Sequence, residues 1–108
     1  MTWTVECLNA NAEAELFALP KDMQARFLHI AGLLEEFGPQ HVGMPHVRSL
    51  GGKLWEIRMS GKAGTGRAIY VTLSGRRIVI LHVFMKKTQK TPRHAIELAR
   101  QRMQEIEP

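Results

Sequence analysis

The sequence predicts one α+β domain, an antiparallel sheet with two N-terminal helices and one C-terminal helix in the order β-α-α-β-β-β-α. Three observations carry this expectation. Residues 53–81 alternate polar and apolar side chains in runs separated by short glycine-containing turns, and strands joined by short turns pair antiparallel. Residues 21–37 place Met23, Phe27, Ile30, Leu34 and Phe37 at spacings of four and three, the apolar stripe of an amphipathic helix. Helical and extended patterns are also segregated along the chain instead of alternating, which favours α+β over a parallel α/β sheet. At 108 residues the whole chain, 1–108, reads as a single domain.

Residues 2–8 alternate with Trp3, Val5 and Cys7 on one side, the pattern of a first strand with one face on a core. Asn9 or Asn11 can cap a short helix through Leu19, which Pro20 ends. The long helix from Lys21 stops at Gly38-Pro39. Residues 40–52 contain His41, Gly43, Pro45, His46, Gly51 and Gly52 and read as a connector rich in turn chemistry. Beyond it, Trp55, Ile57 and Met59 face one way along a strand while Leu54, Glu56 and Arg58 face the other. Ser60–Gly66 reads as a glycine-rich hairpin loop with Lys62 near its tip, and it lacks the spacing of a P-loop. Arg67 to Leu73 is the next strand, and Ser74-Gly75 a two-residue turn.

Ile78–Leu81 is a short buried strand rich in β-branched residues. After it, His82–Pro92, HVFMKKTQKTP, joins the strand to the last helix as a cationic loop. Thr91 is the expected cap and Pro92 the first helical residue. Ile96, Ala99, Met103 and Ile106 supply that helix with its apolar side, with Arg93, Arg100 and Arg102 off it. Helices grouped before and after the strands are expected to cover one face of the sheet and to leave the other open.

The net charge of +5 conceals a strong asymmetry. Residues 1–40 carry two Lys/Arg against six Asp/Glu, whereas residues 41–94 carry eleven against one. Positive charge concentrated in one portion of a domain is the footprint of a polyanion binder, nucleic acid above all, although an acidic protein or anionic lipid would satisfy the same charge. Arg58, Arg67, Lys86 and Lys87 come from strands or strand ends that the hairpins bring together. A lone Cys7 excludes an internal disulfide. No apolar run approaches the roughly 20 residues of a membrane helix, so a cytoplasmic chain without a membrane partner is expected. His41 and His46 have no acidic or thiol neighbour in the connector, so no metal and no cofactor are expected.

Glu56 is the only acid among residues 41–94, which leaves paired-carboxylate and Ser-His-Asp chemistry without support. RNA cleavage tolerates that shortage because the substrate brings its own nucleophile, the 2′-hydroxyl. The protein has only to orient the phosphate, move protons and stabilise charge. Arginine clamps phosphate bidentately, and a lysine crowded by cations exchanges its proton nearer neutral pH. The same charges would equally suit RNA binding without cleavage.

The segments Pro45-His46-Val47-Arg48-Ser49-Leu50, Lys53-Leu54-Trp55-Glu56-Ile57-Arg58, Gly66-Arg67-Ala68-Ile69-Tyr70 and HVFMKKTQKTP followed by Ile96-Glu97-Leu98-Ala99 resemble the phage-derived HigB-like branch of the RelE/ParE toxin superfamily. The likeness covers nearly the whole chain. It implies the RelE-like fold and the toxin of a type II toxin-antitoxin pair, a ribosome-dependent mRNA endonuclease acting in the ribosomal A site. It also implies a cognate helix-turn-helix, HigA-like antitoxin as partner, with mRNA and ribosomal RNA as the nucleic acids met. By the same resemblance Arg67 and Lys87 are the matching catalytic positions, Lys86 and Arg58 assist, and Lys53, Lys90 and Arg93 contact RNA. RelE carries a catalytic tyrosine near its C-terminal end, whereas the only tyrosine here is Tyr70 in a middle strand. The general base is therefore open among Lys87, His46 and His94. Two other readings share the pattern: a ParE-like, non-enzymatic toxin that binds DNA gyrase, and a phage-related nucleic-acid-binding module without toxicity.

Overall fold

A computed structural model describes residues 2–86 and 90–106. The elements are β1 (Thr4–Cys7), α1 (Ala10–Phe17), α2 (Lys21–Phe37), a 3₁₀ turn (Pro39–His41), β2 (Val47–Gly51), β3 (Leu54–Gly61), β4 (Gly64–Leu73), β5 (Arg77–Lys86) and α3 (Arg93–Met103). The α+β class and the three helices follow the sequence pattern. Asn9 is the α1 cap, its side chain accepting from the Ala12 amide at 3.0 Å, and α2 starts at Lys21 and ends before Gly38 as its stripe predicts.

Four expectations about the sheet change. It has five strands, in the order β1-β5-β4-β3-β2, because Val47–Gly51 pairs with β3 although its glycine-rich flanks read as a connector. The sheet is not wholly antiparallel, since β1 lies parallel to β5 with Val5 opposite Ile78; the two helices and three strands between them in the chain supply the long connection a parallel pair requires. β5 continues to Lys86, so half of the presumed cationic loop is strand. The turns also differ. Lys62 and Ala63 alone link Gly61 to its partner Gly64, and Ser74, Gly75 and Arg76 form a three-residue loop with Gly75 and Arg76 at positive φ.

Helices cover both faces of the sheet, contrary to the expected open face. On one side α1 and α2 bury Leu16, Met23, Phe27, Ile30 and Leu34 against Ile57, Met59, Tyr70, Ile78 and Ile80. On the other, Ala95 and Ala99 of α3 pack on Leu54, Ile69, Val71, Val79 and Leu81. The sequence explains this division. Strands β4 and β5 are apolar on both faces, so one helical layer cannot take all of that surface from water. Each fully buried Ile, Leu or Met in these layers contributes about 1.5–3 kcal/mol.

The long helix is fixed at both ends. At its C-terminal end the Trp3 amide donates to the Glu35 carbonyl at 2.9 Å and the Val5 amide to the Glu35 carboxylate at 3.0 Å, joining α2 to β1. At its start Asp22 accepts the Lys62 amide at 2.9 Å, joining α2 to the β3-β4 hairpin. A Cβ at Gly61 would stand 2.8 Å from the same Asp22 carboxylate and 2.9 Å from Met23 Cγ, so a side chain there would have to displace the carboxylate that holds the Lys62 amide.

Candidate nucleic-acid interface

The register of the sheet brings the dispersed cations together. On the face covered by α3, Arg58 is the direct partner of Arg67, and Arg67 of Phe84; one row away Arg48 is opposite Glu56, and one row the other way Thr65 is opposite Lys86. Strand alternation therefore sets Arg48, Arg58, Arg67 and Lys86 on one end of one face. Like charges directly opposite repel. Glu56 relieves that repulsion from the diagonal position: its Oε1 is 3.6 Å from Arg58 Nε and 4.0 Å from Arg67 Nη1.

Glu56 and Arg67 are both fully buried, and Thr91 is almost so. The Thr91 hydroxyl donates to Glu56 Oε2 at 2.6 Å and accepts from Arg67 Nη1 at 2.8 Å, closing a buried network between β3, β4 and the approach to α3. This corrects two expectations. Thr91 does not cap α3, because Pro92 occupies the cap position, without a side-chain cap bond, and the helix begins at Arg93. Nor does Arg67 lie on an open face: it is fully buried, with Thr91, just ahead of α3, hydrogen-bonded to it. Burial lowers the pKa of Arg67, the adjacent Glu56 carboxylate raises it, and Arg58 and Arg48 lower it further. Arginine keeps its charge through such a shift, so Arg67 is a permanent buried cation beneath the surface.

The other expected site residues are distributed as follows. Arg58 and Lys86 are half-buried at the edge of this network, and Arg48 is exposed beside it. Lys90, Arg93 and His94 are exposed at the start of α3, where Arg93 pairs with Glu97 at 3.3 Å. Lys53 is exposed in the β2-β3 turn, five residues and therefore about 17 Å of strand from Arg58. The backbone carbonyl of His46 accepts from the Arg58 amide at 2.9 Å, but its ring stands edge-on to His29 of α2, 6.3 Å away. Lys87 lies outside the described residues. Tyr70 is buried in the α1-α2 layer, and burial pushes its phenol pKa strongly upward.

Sequence reasoning passed over three participants: Arg48, Thr91 and the central role of Glu56. Glu56 shares the period-two face of Arg58 and is the single acid of the basic portion, so an ion pair there was legible. Thr91 was not, since no local pattern announces a partner 35 residues away. Among the described residues no group of three acidic, histidine or cysteine side chains is placed to hold a metal ion, and no helix is long and apolar enough to cross a membrane. A cavity of about 460 Å³ lies elsewhere, lined by Trp3, Pro39, Val42, Trp55 and Thr72. Arg48, Arg58 and Lys86 border a surface instead, with Arg67 beneath it, a form of site that suits a polymer better than a small molecule.

Comparison with known proteins bears on the fold and the family. No curated protein matches the chain significantly. Among solved structures, a chain of the RelE-RelB complex from the archaeon Pyrococcus horikoshii OT3 is similar at 27% identity and a TM-score of 0.58, over 83% of this chain and 100% of that one. The RelE-like resemblance read from the sequence thus extends to the fold. A family model for phage-derived Gp49-like proteins (DUF891) matches residues 14–104. That match spans most of the chain, which belongs to the phage-derived Gp49-like family.

Proposed function

We propose that this protein is the toxin of a type II toxin-antitoxin pair, a ribosome-dependent endoribonuclease that cleaves mRNA in the A site and so stops translation in the cytoplasm. The observation that carries the proposal is the convergence of Arg48, Arg58, Arg67 and Lys86 around one buried carboxylate on the α3 face. The similarity to a chain of a RelE-RelB complex supports an antitoxin partner, which we assign to the helix-turn-helix, HigA-like class.

In the proposed reaction Arg58, Lys86 and Lys87 hold the scissile phosphate, with Arg67 adding its charge from below. The substrate's 2′-oxygen attacks phosphorus as the bond to the 5′-oxygen breaks. A base takes the 2′-proton and an acid returns one to the leaving oxygen, so the upstream fragment ends in a 2′,3′-cyclic phosphate and the downstream fragment begins with a 5′-hydroxyl. We assign proton transfer to Lys87 and His94; the ring of His46 is beside α2, and that residue fits better as an RNA contact. Lys53, Lys90 and Arg93 bind phosphates along the message or ribosomal RNA.

The test is to add the protein to translating ribosomes and map the mRNA ends together with their terminal chemistry. Cleavage within the A-site codon, leaving a cyclic phosphate, is the expected result. Intact message at concentrations that arrest growth would overturn the nuclease reading and direct attention to a gyrase-binding or other non-enzymatic mode of action.

A further inference from the structure

The buried network contains a device that the proposed reaction does not by itself require. Arg58 and Arg67 are register partners, with Arg48 one row away, and such a cluster of guanidiniums tends to splay. Glu56 opposes this only if its carboxylate stays in one orientation. Thr91 provides that constraint: by donating to Oε2 at 2.6 Å it leaves Oε1 facing Arg58 Nε at 3.6 Å and Arg67 Nη1 at 4.0 Å. The same hydroxyl accepts from Arg67 Nη1 at 2.8 Å, so one side chain orients both members of the ion pair. Oε1 is buried and takes no hydrogen bond among the described residues, so it remains available to the two arginines.

We propose that Thr91, acting through Glu56, is a positioning residue that holds Arg58 in the direction needed to grip the scissile phosphate. This inference presupposes the nuclease reading. Glu56 is fully buried and Thr91 almost so, which keeps both from gripping RNA; their effect passes through Arg58 and the charge of Arg67. A threonine kept for helix capping or packing would act differently. A capping role is absent here, since α3 has no side-chain cap bond. A packing role would depend on the methyl group, whereas the positioning role depends on the hydroxyl.

The experiment compares single-turnover mRNA cleavage on programmed ribosomes by the parent, Thr91→Ser and Thr91→Val, with ribosome affinity measured in parallel. Misplacing a phosphate clamp lowers the rate at saturation more than the affinity, and shifts of about 1 Å can cost on the order of 10²-fold. Thr91→Val is expected to lose at least about tenfold in saturating rate with affinity changed by less than about threefold, and Thr91→Ser to restore most of that rate. Parent-like cleavage by Thr91→Val overturns the proposal, as does Thr91→Ser falling as far as Thr91→Val. If Thr91→Val does not fold, Thr91→Ala read against Thr91→Ser supplies the same test, because those two differ only in the hydroxyl and the buried charge pair stays intact. A parent-like saturating rate in Thr91→Ala also overturns the proposal. Failure of the parent itself to cleave would sink the nuclease reading, whereas cleaving parent and variants alike would sink only this inference.

Discussion

Arg102 of α3 and Glu15 of α1 form a two-pronged ion pair around the edge of the sheet, Nη1 to Oε1 at 2.8 Å and Nη2 to Oε2 at 2.9 Å. The pair lies where β1 runs out and leaves the edge of β5 unpaired. Arg102 donates to the Leu81 carbonyl at 3.0 Å, and Glu15 accepts the Val83 amide at 3.0 Å, so two side chains satisfy backbone groups that a neighbouring strand would otherwise take. They also connect the two helical layers across that edge. Arg102→Ala should therefore lower stability by about 1.5–3 kcal/mol, the range for hydrogen bonds to charged groups. Urea unfolding of the variant against the parent checks this, and a difference below about 0.5 kcal/mol would mean that water replaces the clip without cost.

The same pair predicts the acid limb of the stability curve. Partial burial alone would raise the Glu15 pKa, but hydrogen bonds from Arg102, the Val83 amide and His82 outweigh it and lower the folded value. A depressed folded pKa contributes stability that is fully present above the unfolded value, roughly 4.3, and is lost as pH falls through the folded value. Glu15→Gln should flatten the decline of stability below about pH 4 relative to the parent. Parallel unfolding curves for the two proteins across that range would show that other carboxylates govern it.

Arg67→Met should destabilise the fold, because it leaves Glu56 buried without its second cation; losing one member of a buried pair costs on the order of 3–5 kcal/mol. The open sheet face expected from the sequence would instead predict an intact fold with lost cleavage, since it puts this arginine at the surface. Thermal melting separates the two outcomes. An unchanged midpoint would contradict the buried network.

Removal of Lys86, Lys87 or Lys53 should behave differently from removal of Arg67. Lys86→Ala and Lys87→Ala are expected to reduce cleavage by at least about 10²-fold, the usual order for a lost charge-stabilising or acid-base group, with the melting temperature little changed. Lys53→Ala, at the far end of β3, should reduce affinity without altering the saturating rate. Kinetics on programmed ribosomes distinguish these effects, and parent-like activity in either lysine variant would remove that residue from the site.

Affinity for RNA or ribosomes should also fall steeply with salt, by roughly tenfold or more between about 50 and 200 mM if several phosphates are neutralised. Binding titrations over that range are the check. A flat response would exclude the basic face as the contact surface.

The sequence by itself determined the α+β class and the bounds of α2, and it narrowed the α1 cap to Asn9 or Asn11, because each follows from local periodicity or from one residue's hydrogen-bonding capacity. It also determined that positive charge would gather on the strands, since residues 41–94 hold eleven basic side chains and one acid. Only the tertiary structure decided which cations remain at the surface. Val47–Gly51 became a strand because β3 offered an unpaired edge, and α3 crossed to the face opposite α1 and α2 because β4 and β5 are apolar on both sides. That crossing carried Thr91 over Arg67 and Glu56. It turned an expected helix cap into the centre of a buried network and an expected surface arginine into its interior charge. Contacts between residues 24 and 35 positions apart leave no periodic trace in a sequence; they exist only once the layers have packed.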